Sequence, residues 1–145
     1  MRLSTKGRYA VMAMTDLARR EGERAVALAD IAARQEISLA YLEQLFSRLR
    51  RKGLVISARG PGGGYRLARS AAETTIADIV TAVDEPLRTT RCSGEERKGC
   101  MLKGERCLTH DLWEEMGRQI HDYLASVSLD DVANGRLKTA QPEAA

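Results

Sequence analysis

The sequence predicts a mainly α protein carrying one small β-hairpin, and three observations lead there. Apolar residues recur at helical spacing in several separate stretches, with capping residues ahead of them. Two short extended runs are joined by a glycine-dense loop, Gly60-Pro61-Gly62-Gly63-Gly64. Basic charge is concentrated in the first half: residues 1–70 carry 14 Lys/Arg against 6 Asp/Glu, a net of +8, whereas residues 71–145 carry 9 against 14, a net of −5.

Taken in order, Thr5 to Arg20 reads as a helix with Ala10, Val11, Met14, Leu17 and Ala18 on one face. Glu21-Gly22-Glu23 ends it. Val26 and Leu28 form a short extended lead-in to a brief helix, Ala29–Gln35, which buries Ile31 and Ala32. A tight turn at Glu36-Ile37 follows. Ser38 then caps a helix over Leu39–Lys52, because its hydroxyl can satisfy a free backbone N–H. Leu42, Leu45, Phe46 and Leu49 are its buried stripe, and Gly53 closes it. Leu54–Ala58 and Tyr65–Leu67 are the two strands of the hairpin. Helix, helix, turn, capped helix and hairpin in this order is the winged helix-turn-helix arrangement, whose second helix of the pair enters a major groove.

Thr75 caps a further helix over Ile76–Val83, stopped by Glu85-Pro86. A long helix runs from Thr109 to Ser126, with Leu112, Trp113, Met116, Ile120, Tyr123, Leu124 and Val127 returning to one side. Ser128-Leu-Asp-Asp131 is a capping box for a last short turn. So short a chain cannot cover both this stripe and its own helices, and a two-fold partner helix is the expected cover. The expected division is therefore a winged helix-turn-helix unit over 1–84, a ligand-bearing loop and dimerisation helix over 85–135, and a small polar tail over 136–145.

Composition narrows the function. No apolar run approaches a membrane span, and no apolar stretch follows Met1-Arg2 to make a secretory signal, so a soluble, cytoplasmic protein is expected. From Arg48 to Arg69 there are seven Lys/Arg and no acid, which suits a phosphate backbone. The glycine loop lacks the Lys-Ser/Thr of a nucleotide-binding P-loop. Among side chains able to read bases, Gln44 can pair with an adenine edge, and Glu43 can accept from cytosine N4. Arg48 or Arg59 can address guanine or a narrow minor groove. Glu43 is unusual on a surface facing phosphates. It reads either as a partner of a neighbouring Arg or as a carboxylate that penalises wrong sequences.

All three cysteines and one of two histidines fall in one stretch: Cys92, Cys100, Cys107 and His110, spaced C-x7-C-x6-C-x2-H. An odd number of cysteines in a reducing compartment argues against a disulfide framework. Thiolate and imidazole together are ligands for zinc or for an iron–sulfur cluster. Zinc modules usually include a close C-x2-4-C pair, and none occurs here. A structural zinc, unligated redox-sensing thiols and an electron carrier remain alternative readings. A cysteine enzyme is disfavoured, since no second His or acid accompanies a cysteine at usable spacing.

These residues together carry a resemblance. Met1 to Met14, Ile37 to Arg50, Arg59-Gly-Pro-Gly-Gly-Gly-Tyr65 and Cys107-Leu-Thr-His-Asp-Leu-Trp113 resemble the IscR-type regulators, iron–sulfur-sensing winged-helix repressors of bacterial cluster biogenesis. The resemblance spans nearly the whole chain apart from the tail. It implies a homodimer on double-stranded operator DNA, with a 2Fe–2S cluster in each subunit held by Cys92, Cys100, Cys107 and His110 and supplied by the iron–sulfur assembly machinery. It implies repression of cluster-assembly genes; Cys107-x2-His110 favours this over a nitric-oxide-sensing relative of the same fold. Arg2, Ser38, Ala40, Tyr41, Arg50 and the wing residues Gly60, Pro61, Gly62 and Gly63 complete the surface expected to meet DNA. The gaps between the cysteines are longer than in that family's pattern, and position 40 is alanine where serine is common.

Overall fold

The computed structural model describes residues 4–20, 22, 24–83 and 101–138; Arg2, Cys92, Cys100 and the tail from residue 139 lie outside the described residues. The elements run α1 (Thr5–Arg19), α2 (Leu28–Gln35), α3 (Leu39–Arg51), β1 (Val55–Ala58), β2 (Gly64–Leu67), a 3₁₀ turn (Ala71–Glu73), α4 (Ile76–Val83), α5 (His110–Ser126) and α6 (Leu129–Ala133). The helices match the periodic stretches to within a residue at each end. Among the described residues no helix is long and apolar enough to cross a membrane.

One core joins the elements. Ala10, Ala13, Met14 and Leu17 of α1 meet Leu42, Leu45, Phe46 and Leu49 of α3, Ile79, Val80 and Val83 of α4, and Leu129 at the start of α6. The caps explain where the helices begin. Ser4 Oγ accepts from Gly7 N at 3.2 Å, and Ser38 Oγ from Tyr41 N at 3.3 Å. Thr75 and Asp78 cap each other's backbone N–H groups at 3.1 Å, as do Ser128 and Asp131. The turn between α2 and α3 passes through Glu36, at φ 55. That left-handed residue reverses the chain and sets the angle between the two helices.

Two boundaries differ from expectation for local reasons. Leu28 opens α2 and is not extended; Val26 alone is, bridging Tyr65 through Val26 N to Tyr65 O at 2.9 Å and Tyr65 N to Val26 O at 2.8 Å. The hairpin starts one residue later in β1 and one earlier in β2, because Ala58 pairs with Gly64. Val26 thus adds one rung to the wing and fastens it to the segment ahead of α2.

The end of α5 returns to the start of α4. Thr75 bridges Ser128, with Ile76 N to Val127 O at 3.0 Å and Leu129 N to Thr74 O at 2.7 Å. Leu129 is fully buried and Val132 packs on the core, so α6 shares one interior with α1, α3 and α4.

A polar joint holds α1 to α2. Asp16, almost fully buried, receives Arg34 Nε at 3.0 Å and Nη2 at 2.7 Å on its two oxygens, and Gln35 Nε2 at 2.8 Å. Burial works against the charged form. The bonds from Arg34 and Gln35, with the charges of Arg34 and Arg20, outweigh it and hold the carboxyl below the usual carboxylate range.

Candidate nucleic-acid interface and metal-ligand segment

The N-terminal half of α3 presents its non-core face to solvent. Ala40, Glu43 and Gln44 are exposed, as are Ser38 ahead of them and Arg50 beyond, while Tyr41 is half-buried. The buried stripe on the opposite side fixes this orientation. Tyr41 is further held edge-on against Tyr9 of α1, ring centroids 5.8 Å apart. Glu43 has no ion-pair partner among the described residues, so the neighbouring-Arg reading of it is not realised there. Arg48, expected to address a base, turns its Nη1 onto Val83 O at 2.7 Å. Val83 is the last described residue of α4. Through that bond Arg48, itself exposed, links α3 to α4.

The wing tip exposes Arg59, Gly60, Pro61 and Gly62. Gly60 and Gly62 sit at φ 95 and 75, the left-handed region that glycine enters without cost. The two glycines that follow serve the protein's own packing. A Cβ on Gly63 would lie 2.6 Å from Ala58 O, and one on Gly64 2.1 Å from Val26 O. Glycine density, read in the sequence as freedom to approach another molecule, is thus half explained by contacts within the wing.

At the other end of the chain Cys107 and His110 flank the start of α5. His110 N donates to Cys107 O at 3.1 Å, a single turn that brings the two residues together. Cys107 is a free, partly exposed thiol, and His110 is only 4% exposed. Glu114, one helical turn on, places Oε2 3.6 Å from His110 Nε2. Asp111 lies in the same group, with ligand atoms within 4.8 Å of one another. The sequence reading missed Glu114 and Thr109, whose Oγ1 lies 3.7 Å from Cys107 Sγ. Their i+4 and N-cap spacing from His110 and α5 was the available signal.

Beyond this turn α5 keeps its apolar side uncovered. Leu112 is 59% exposed, Trp113 40% and Tyr123 57%, while Met116, Ile120 and Leu124 are partly buried. The opposite face is polar, with Arg118 bridging Glu115 and Asp122. The hydrogen bond from Arg118, with a second from Gln119, lowers the Glu115 carboxyl to about 2.

The sequence model of the Rrf2 family, an iron-dependent transcriptional regulator, matches residues 3–135. The chain belongs to the Rrf2 family. This Rrf2 protein is 54% identical over 136 residues to the HTH-type transcriptional regulator IscR of Pectobacterium carotovorum subsp. carotovorum, covering 94% of this chain and 81% of that one. Identity and coverage are the same for IscR of Photorhabdus laumondii subsp. laumondii. Its fold matches T. potens IscR with a TM-score of 0.76 at 36% identity, over 98% of this chain and 94% of that one. CymR (YrzC), the global cysteine regulator of B. subtilis, matches with a TM-score of 0.77 at 34% identity, over 93% and 98%. The protein is an IscR-type transcriptional regulator of the Rrf2 family, a DNA-binding class and not an enzymatic one.

Within this family assignment the exposed face of α3 has a direct test. Glu43→Ala should loosen sequence choice while general affinity holds or rises, because an exposed carboxylate on α3 is removed. Arg59→Ala should weaken binding, most where the minor groove is narrow. Competition titrations over operator variants read both. Loss of all binding in Glu43→Ala would make the residue a structural one.

Proposed function

We propose that the protein is a homodimeric, cytoplasmic regulator that reads a roughly palindromic operator and responds to iron–sulfur status. Its ligands for a 2Fe–2S cluster are Cys92, Cys100, Cys107 and His110, one cluster per subunit, received from the iron–sulfur assembly machinery. The regulated genes are those of cluster assembly, and the effect is repression. One observation carries the reading: Cys107 and His110 open the same helix whose apolar face is left uncovered. A ligand at that turn adjoins the expected dimer seam.

The donor set suits the group. A partly exposed thiol and a buried imidazole offer one sulfur and one nitrogen, and Glu114 beside His110 Nε2 is the kind of carboxylate that fixes a ligating ring. When bound, the cluster supplies a centre whose presence and charge depend on iron, oxygen and reductant. The remainder is the work of the chain's own residues. In a dimer, Leu112, Trp113 and Tyr123 would meet their copies and exclude water, setting two α3 helices about one turn of DNA apart. Gln44 and Glu43 would face base edges, and Arg50 and Arg59 phosphates or the minor groove. Arg48 ties α3 to the end of α4, which leads into the cysteine segment, so a change there has a route to the reading helix.

Protein purified without oxygen should be red-brown, with about two irons and two sulfides per chain. Cys92→Ala, Cys100→Ala and Cys107→Ala should each lose the colour, and His110→Ala should keep a weakened cluster. All four should stay folded and dimeric, since the core lies elsewhere. Non-specific, salt-sensitive DNA binding should persist as affinity for a cluster-dependent operator falls. Colourless protein with one zinc per chain would make the segment a structural staple. A monomer by sedimentation at micromolar concentration with DNA present would remove the dimer.

A further inference from the structure

Thr109 stands at the N-cap of α5, yet its hydroxyl makes no cap bond. The hydroxyls of Ser4, Ser38, Ser70 and Ser128 each accept from a backbone N–H of the turn they start. Thr109 Oγ1 is committed elsewhere: 3.1 Å from Trp113 Nε1, and 3.7 Å from Cys107 Sγ. Chemistry sets the direction of both contacts. An indole N–H only donates, so the threonine oxygen accepts there. A cysteine that holds metal is a thiolate and only accepts. The one proton of the hydroxyl is then left for the sulfur.

We propose that Thr109 is a positioning residue, steadied by Trp113, that aims a hydrogen bond at the Cys107 sulfur and raises the reduction potential of the cluster. The inference rests on the ligand set proposed above. Its physical basis is that reduction adds negative charge to the iron and its sulfur ligands, and a donor aimed at a ligand thiolate stabilises the more negative state. The Trp113 N–H strengthens the effect, because accepting one hydrogen bond polarises the hydroxyl toward giving another. The pattern Cys107-x-Thr109-x3-Trp113 therefore links a cluster ligand to a residue on the uncovered face of α5. The hydroxyl could have saturated a helix N-terminus, and its diversion from that ordinary use is what points to this role.

The test uses the full chain loaded with cluster under anaerobic conditions, as Thr109→Val, Thr109→Ser and Trp113→Phe. Potentiometric titration should place Thr109→Val at a more negative potential than the unaltered chain. Thr109→Ser should return near the starting value, with Trp113→Phe in between. Trp113 is the only tryptophan, so its ¹⁵N-labelled indole gives one resonance in the cluster-free chain. That resonance should move upfield in Thr109→Val and not in Thr109→Ser. Unchanged potential in Thr109→Val at full iron content overturns this inference alone. A chain that takes up no iron fails earlier, at the ligand set, and brings this inference down with it. Should valine lower the iron content, Trp113→Phe supplies the potential, and its equality with the unaltered chain overturns the proposal.

Discussion

Phe46→Ala should cost the fold about 3–5 kcal/mol, the usual range for emptying a large aromatic site in a core. Phe46 is fully buried on the inner side of α3, and its ring lies 5.0 Å from that of Tyr65 at 65°. The edge contact adds about 0.5–1.5 kcal/mol to ordinary burial. A domain of this size has only about 5–15 kcal/mol in all, so the variant stands close to unfolding at ambient temperature. The ring also joins α3 to the wing strand that carries Tyr65. Operator binding by the folded fraction, measured in the cold, should therefore weaken beyond the loss of folded protein. Chemical denaturation gives the first number, and a loss under about 1 kcal/mol would mean that the surrounding core collapses into the space.

Gly64→Ala should be nearly as damaging, at about 3 kcal/mol, since overpacking a site that cannot yield lies at the upper end of its range. The added carbon would meet Val26 O at 2.1 Å and Ala27 N at 2.8 Å, all backbone. Relief requires the wing to part from the segment ahead of α2, breaking the paired bonds between Val26 and Tyr65. Gly62→Ala is the matched control. Nothing lies within 4 Å of its Cβ, and only the left-handed φ of 75 opposes it, a cost of about 1–2 kcal/mol. Hydrogen exchange should show the Val26 and Tyr65 amides opened in Gly64→Ala and protected in Gly62→Ala. Equal protection would show that the bridge is not what the glycine preserves.

Much of the architecture was legible because it rests on local rules. Apolar spacing marked α1, α3, α4 and α5, and Ser38, Thr75 and Ser128 marked three starts, since a hydroxyl cap acts within one turn. Long-range relations were not legible. Nothing near Arg48 in the sequence says that its guanidinium reaches Val83, 35 residues away. Asp16 occupies a position on α1 that looks like a solvated acid, and only the approach of α2 brings Arg34 and Gln35 to it. Residue type and spacing singled out Cys107 and His110, which the structure brings into one turn. Thr109 read only as the start of α5, because where its hydroxyl turns depends on a rotamer.

The two backbone bonds that pin Thr74 and Ile76 to Leu129 and Val127 bear on how this lineage could have changed length. They close the chain at a neck between the start of α4 and the start of α6; α4 itself belongs to the core through Ile79, Val80 and Val83, so it is length added beyond Val83 that enlarges a closed loop and not the interior. The entropy of joining the ends grows only with the logarithm of what lies between, about 0.6 kcal/mol for each doubling. Residues can be gained or lost between the cysteines without drawing on the interior that holds α1, α3 and α6. Variation in the spacing of Cys92, Cys100 and Cys107 is the kind of change such a closed neck permits, while α1, α3 and α6 keep their shared interior.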